Sequence, residues 1–447
     1  MKFLAAWVIA TAVVMSSAAA ISGPSSLDAA FAKYWAAQNP ADAAKASGDV
    51  VKTSASFDEV YRRLKQGRPY SKKVSTGIVF GRHGEFSYAL DVPPGYDPAR
   101  AYQVRFQLHG GVAASREANE RRGRSGIGRL AGTEQIYVLP AGWNEAPWWS
   151  DAQVANLSAI LDTIKRTYNI DENRVVVSGV SDGGTGAYYV AMRDTTPYAA
   201  FLPLNGFILV LTNVTQDTVV DLCPNNLRNK PFFAVNGGRD PLYPISIVEP
   251  SVEHLAKGGV DITYRPQPQA GHDTSWWPQV KDAFETFVRD HPRSPLPDRL
   301  TWETSDTRRS GRAHWLQIDA LGTRPDDARN LPDLNQVTLA AESESGSRST
   351  PGLKVARQIF KRTGQPGRVD VVRSGNVVET ISRGVTQFTL LISPDQFDFS
   401  RPVRVVVNGR VAFDGPVEKS VATLMKWAAR DNDRTMLFGA ELKIAVK

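Results

Sequence analysis

Cysteine is almost missing from this chain. The single Cys223 cannot close an internal disulfide, so the folded protein has to stand on packing and hydrogen bonds. A lone cysteine of this kind reads as a packed residue before it reads as a catalytic thiol. Concentrated charge is missing as well. Lys and Arg number 53 against 46 Asp and Glu, a formal net charge of +7, yet no block of basic residues forms and none interleaves with aromatics. A nucleic-acid partner is therefore not expected. There is no internal repeat and no extended low-complexity segment. Histidine is scarce, at six residues, which shortens any search for a general base.

What is present is material for a core. Hydrophobic residues make up 42% and charged residues 22% of 447, so a globular chain of two domains is expected. The first twenty residues, MKFLAAWVIATAVVMSSAAA, stand apart: Lys2, an apolar run from Phe3 to Met15, then Ala18-Ala19-Ala20. A spanning helix needs about 20 apolar residues, and this run stops sooner at Ser16-Ser17. It reads as an export signal over 1–20, cleaved near Ala20. The mature protein is then expected outside the cytoplasm, periplasmic or extracellular, with no stable membrane anchor.

A helical preface occupies 21–74, with Ser56 and Glu59 in capping-box spacing and Gly67 as a stop. The segment from Thr76 to Tyr96 alternates and turns like an antiparallel strand pair. From 103 on, strands alternate with helices. Strands are expected at 104–108, 135–141, 174–180, 199–207, 231–238 and 261–269. Helices are expected over 155–168, with Leu157, Ile160, Leu161 and Ile164 on one face, after Ser181, and around Val280 to Val288. The reading is an α/β domain over 75–293, a mostly parallel sheet flanked by helices. Three prolines in 291–300 mark a boundary. Beyond it, 298–447 reads as a smaller, mainly β, sandwich-like accessory domain with hairpins at 369–381 and 403–413, the second turning on Asn408-Gly409. A polar loop at 342–349, one helix at 420–430 and a last strand complete it.

The chemistry centres on Gly179-Val180-Ser181-Asp182-Gly183, a G-x-S-x-G pattern between an apolar strand and a helix. Glycines two residues either side of Ser181 leave room for a sharp, strained turn. A serine hydroxyl becomes a nucleophile only with a neutral histidine to take its proton, a carboxylate to orient that histidine, and donors for the developing oxyanion. His272 follows the last sheet strand, at the carboxyl edge that displays Ser181. His83, His254, His291 and His314 lie elsewhere, and His109 opens a glycine loop. Asp240 follows an apolar strand and two glycines at the same edge. Asp182 sits on the elbow itself, Asp273 adjoins His272, and Asp217, Asp221 and Asp261 lack the strand-then-turn context. The oxyanion donors expected are the backbone N–H of Asp182 and that of Gly110 or Gly111. Trp148, Trp149, Trp276 and Trp277 lie near sheet ends, where they fit core packing at least as well as a substrate pocket.

With the order Ser181, Asp240, His272, the chain resembles the α/β-hydrolase superfamily. Within it the chain is similar to secreted esterases of the polyhydroxybutyrate-depolymerase, feruloyl-esterase and esterase D type. LHGG (108–111), YNIDENRVVVSGVSDGG (168–184), NGGRDPLYP (236–244) and AGHDTSWW (270–277) carry the likeness. The resemblance implies ester hydrolysis through an acyl-enzyme, on a monomeric or polymeric ester, with no metal and no organic cofactor. Two features depart from it. Asp182 stands where many relatives carry an apolar or amide residue, and no long insertion offers a lid. A peptidase of the prolyl-oligopeptidase type shares this fold and triad, and a non-catalytic binding protein on a dead hydrolase scaffold is the other alternative.

Overall fold

The protein is described by a computed structural model over residues 26–122, 126–212, 221–322, 333–340, 354–362 and 364–446. The leader at 1–20 and the polar loop at 342–349 lie outside the described residues.

The preface holds three helices, α1 (Ser26–Ala36), α2 (Pro40–Lys52) and α3 (Phe57–Gln66). Only α3 was expected, and its caps are as read: the Glu59 N–H donates to Ser56 Oγ, and Gly67 ends the helix at φ 78°. α2 has few large apolar residues, whereas α1 carries Leu27, Phe31 and Tyr34 at helical spacing, a signal the sequence reading passed over. Leu27, Phe31, Tyr34, Val50, Val60 and Leu64 are buried against Leu424, Met425 and Ala428 of the helix Val421–Asp431, near the other end of the chain.

Eight strands form the main sheet: β1 (Gly77–His83), β2 (Phe86–Val92), β3 (Tyr102–Leu108), β4 (Ile136–Pro140), β5 (Ile170–Val180), β6 (Ala200–Leu204), β7 (Phe232–Ala234) and β8 (Ile262–Tyr264). They lie in the order β1-β2-β4-β3-β5-β6-β7-β8. β1 and β2 are an antiparallel hairpin and β2 is antiparallel to β4, while β4, β3, β5, β6, β7 and β8 run parallel. Between the strands run α4 (Arg116–Arg122), α5 (Asp151–Thr167), α6 (Asp182–Arg193) and α7 (Ile245–Lys257), and α8 (Trp277–Asp290) follows β8.

The central strand β5 explains the two-faced burial. Val175 and Val177 join the cluster with α5 and α6, whereas Val176 joins the opposite cluster with Trp277, Val280 and Phe284 of α8. Alternate side chains thus enter two cores, so the strand is continuously apolar. β6 is shorter than expected because Asn205 turns the chain out at φ 47°, its amide donating to the Val235 carbonyl. β7 and β8 are three residues each, the segments after them being given over to loops.

After Arg293 the chain builds two facing sheets. One holds the strands 299–304, 367–374, 377–383, 403–407 and 410–415, the other 312–313, 316–321, 385–392 and 440–445. Trp302, Trp315, Phe388 and Phe438 are buried between them. Asn408 at φ 50° and Gly409 at φ 81° turn the second expected hairpin, the left-handed pair that a two-residue loop requires. The fold class is therefore an α/β-hydrolase sheet with an attached β-sandwich.

Candidate active site

The elbow begins with backbone that only a forced turn accepts. Ser181 sits at φ 58°, ψ −119°, a conformation that costs a side-chain-bearing residue roughly 1–3 kcal/mol. Its N–H donates to the Leu204 carbonyl at 2.9 Å, which fastens the turn to β6. A Cβ at Gly179 would fall on the Gly183 carbonyl, and one at Gly183 on the Leu108 carbonyl. The two elbow glycines are thus needed for close approach of β5, α6 and the end of β3.

Three loops at the carboxyl edge bring the polar residues together. The Ser181 hydroxyl donates to His272 Nε2 at 2.8 Å, and His272 Nδ1–H donates to Asp240 Oδ2 at 2.6 Å. A carboxylate accepts only, so the ring carries its proton on Nδ1 and leaves Nε2 free to receive one. Asp240 is withdrawn from water, and its second oxygen accepts from the Leu242 and Tyr243 amides at 2.8 and 3.0 Å. Two devices hold the His272 loop in place. Asn205 Nδ2 donates to the Asp273 carbonyl at 2.7 Å. The loops after β7 and β8 are laced by the Gly238 and Arg239 amides donating to Gln267 and Ala270.

The donor side is assembled around Gly110. A Cβ there would stand 2.9 Å from Ser181 Cβ, so only glycine leaves the nucleophile accessible from that side. Gly111 holds φ 73°. The Asp182 side chain does not face the histidine. Its Oδ2 accepts from the Val112 amide at 2.9 Å and ties the elbow to this loop. With Val112 so occupied, the amides of Gly110, Gly111 and Asp182 meet no acceptor among the described residues.

Sequence reasoning had assigned His109 no more than a place before the glycines. It proves to be a half-buried spacer. Its Nδ1–H donates to the Gly110 carbonyl at 2.9 Å, and Nε2 accepts from the Gly142 amide at 3.1 Å. Burial lowers its pKa, which keeps the ring neutral as that bonding pattern demands. Trp148 Nε1 donates to the His109 carbonyl, and Asn119 Nδ2 donates to the Gly111 and Gly142 carbonyls. Trp148, Trp276 and Trp277 are packed in the interior, and Trp149 lies against the same core. Cys223 is buried away from this edge, its thiol pKa pushed up by burial. Among the described residues no group of three His, Cys, Asp or Glu is arranged to hold a metal ion, and no helix is long and apolar enough to cross a membrane.

A residue not singled out in the sequence completes the site. Tyr243, three positions after Asp240, sets its ring edge-on to the His272 imidazole, centroids 5.2 Å apart, and rests on Phe207. Its hydroxyl lies near Ser181 and the Asp182 carboxylate. It lies within NGGRDPLYP (236–244), the stretch chosen for Asp240, but no periodicity marks it and its closeness to Asp240 was its only signal.

No family model matches the chain. It is similar to feruloyl esterase C of Emericella nidulans, at 25% identity over 164 residues, which is 35% of this chain and 56% of that protein. It is also similar to acyl-protein thioesterase 1 of Gibberella zeae, at 28% over 116 residues, 26% of this chain and 47% of the relative. The chain thus spans about half the length of these relatives. Among solved structures it overlaps a thermostable esterase (TM-score 0.37, 21% identity, 48% of this chain and 62% of that one) and a ferulic acid esterase (TM-score 0.35, 20%, 48% and 97%).

Proposed function

We propose, from the sheet order and the elbow, that the chain is an α/β-hydrolase and a serine hydrolase of carboxylic esters. The observation that carries this reading is the continuous relay from Ser181 through His272 to Asp240, at 2.8 and 2.6 Å. In this reading His272 Nε2 takes the Ser181 proton as Oγ attacks the ester carbonyl. The carbonyl oxygen becomes an oxyanion held by the Asp182 amide and that of Gly110 or Gly111. Asp240 keeps the imidazole in the required tautomer and steadies its positive charge. The C–O bond to the alcohol then breaks, and His272 returns the proton to the departing oxygen. Water, deprotonated by the same imidazole, releases the acid. The similarity to proteins named feruloyl esterase and acyl-protein thioesterase supports an ester or thioester over a peptide. Export by the N-terminal leader belongs to the same reading.

Hydrolysis of a panel of 4-nitrophenyl and feruloyl esters, alongside Ser181→Ala, tests it. A burst in the wild type that vanishes in the variant is expected. Loss of nucleophile function typically removes 10⁴-fold or more of the rate, roughly 10⁶. Equal, negligible rates in both proteins would overturn the esterase reading and direct attention to peptides.

A further inference from the structure

Tyr243 occupies a part of the site for which the proposed mechanism has so far named no residue. In the sheet order, β3 flanks β5 on one side and β6 and β7 lie on the other. The Gly110 loop, after β3, therefore comes to Ser181 from one side, and the loop carrying Asp240 and Tyr243, after β7, from the opposite one. The carbonyl oxygen is claimed by the amides of the first side. The alcohol oxygen of the ester has to face His272, which must protonate it. That is where Tyr243 stands, its ring edge-on to the imidazole and its hydroxyl near Ser181. Next to it the chain opens to water: Leu242 is 63% exposed, as an exit for the alcohol would require.

On the reading of the site as an esterase, we infer that the Tyr243 hydroxyl donates a hydrogen bond to the alcohol oxygen of the substrate as it departs, and so is a further catalytic residue specific to esters of poor leaving groups. In acylation the Ser181 Oγ–carbonyl carbon bond forms, the bond from that carbon to the alcohol oxygen breaks, and the proton passes from Ser181 through His272 Nε2 to the alcohol. Tyr243 keeps its own proton throughout and lends only a hydrogen bond to the negative charge that builds on the leaving oxygen. Burial, with the Asp182 carboxylate nearby, raises its pKa by more than the Ser181 contact lowers it, so the phenol stays protonated.

The leaving group makes the test. A 4-nitrophenolate departs without help, whereas an alkoxide needs both the proton and the stabilising donor. Tyr243→Phe keeps the ring against His272 and Phe207 and removes the hydroxyl alone. For ethyl and 4-nitrophenyl esters of one acid, kcat/KM, which reports acylation, is measured per active site counted by burst titration. The ethyl ester is expected to lose about 10²-fold, the size of one transition-state donor, and the 4-nitrophenyl ester less than about 3-fold. Equal losses on both esters, or no loss on either, would overturn the inference while wild-type turnover left the esterase reading standing. Wild type that turns over neither ester overturns the esterase reading and the inference with it. Tyr243→Leu, which removes ring and hydroxyl, is expected to repeat the leaving-group discrimination and to add a loss common to both esters.

Discussion

Two carboxylates lie equally deep in this protein, with side-chain exposures of 0% and 2%, and serve opposite ends. Asp240, at the sheet edge, meets one neutral histidine and two backbone amides. Asp433, at the seam between the α/β part and the sandwich, meets two cations: Arg293 at 2.7 Å and Lys165 of α5 at 3.6 Å. Thr435 adds its hydroxyl and amide. Burial alone would raise the pKa of Asp433, but Arg293 and Lys165 outweigh it and hold it well below the usual carboxylate range. At the seam one buried carboxylate is fixed between two cations. The sheet edge keeps one proton mobile and stores strain beside it. Burial by itself therefore says nothing of chemistry; what the buried group faces decides.

Amide substitution at each carboxylate separates the two. Asp240→Asn is expected to lower kcat on esters by about 10⁴-fold, because an amide N–H directed at His272 forces the wrong tautomer. The melting temperature, followed in the same samples, should barely move. Asp433→Asn should do the converse. It leaves Arg293 and Lys165 buried without a counter-charge, a change that costs about 3–5 kcal/mol in comparable pairs. Denaturant unfolding should report that loss, with kcat of the folded fraction unchanged. A wild-type-like stability for Asp433→Asn would mean that Arg293 and Lys165 do not depend on that carboxylate.

Acid sharpens the comparison further. The pKa of Asp433 is depressed by folding, so its contribution is fully present above the unfolded value of about 3.9 and is lost as pH falls toward the folded one. His109 and His314 are depressed as well, chiefly by burial, and their contribution begins to fade below about pH 6.5. Stability should thus decline in two stages on acidification, and Asp433→Asn should diminish the lower stage, to which Glu120 and Asp333 also contribute, and leave the upper one unchanged. The smallest effect belongs to Asp182. Replacing it by Ala frees the Val112 amide and unties the elbow from the Gly110 loop, at a cost of about 1 kcal/mol, or some fivefold in kcat/KM. Asp182→Asn, which keeps an acceptor oxygen, should recover most of that in a parallel assay.

The parts of the site that were legible in the sequence are those fixed by local backbone. Gly179 and Gly183 announce a turn before any contact is known, and Asp240 and His272 follow strands that end at one edge. Elements set by distant partners were not legible. The Asp182 brace joins residues 70 apart, and nothing near Asp182 in the chain names Val112. The apolar face of α1, at Leu27, Phe31 and Tyr34, has no partner nearby in sequence, and what covers it and the Ala-rich α2 is a helix near residue 425. Strand ends were overestimated at β6 and β7 because apolar residues continue into loops that are themselves buried, as Val235 and Phe207 are, and at β8 because Pro266 and Pro268 cannot continue the ladder past Tyr264.

The pairing of α1–α3 with Val421–Asp431 has a consequence for time. Arg68, just past α3, donates to Asn432, 364 residues further along the chain, and Lys419 pairs with Asp58 across 361. During synthesis the first helices emerge with an apolar face and no surface to cover it until nearly everything else has been made. Contacts of such long separation form late and slowly. The sheet and its nucleophile can thus be assembled while both ends are still loose, and the last event of folding is the clasp that joins them.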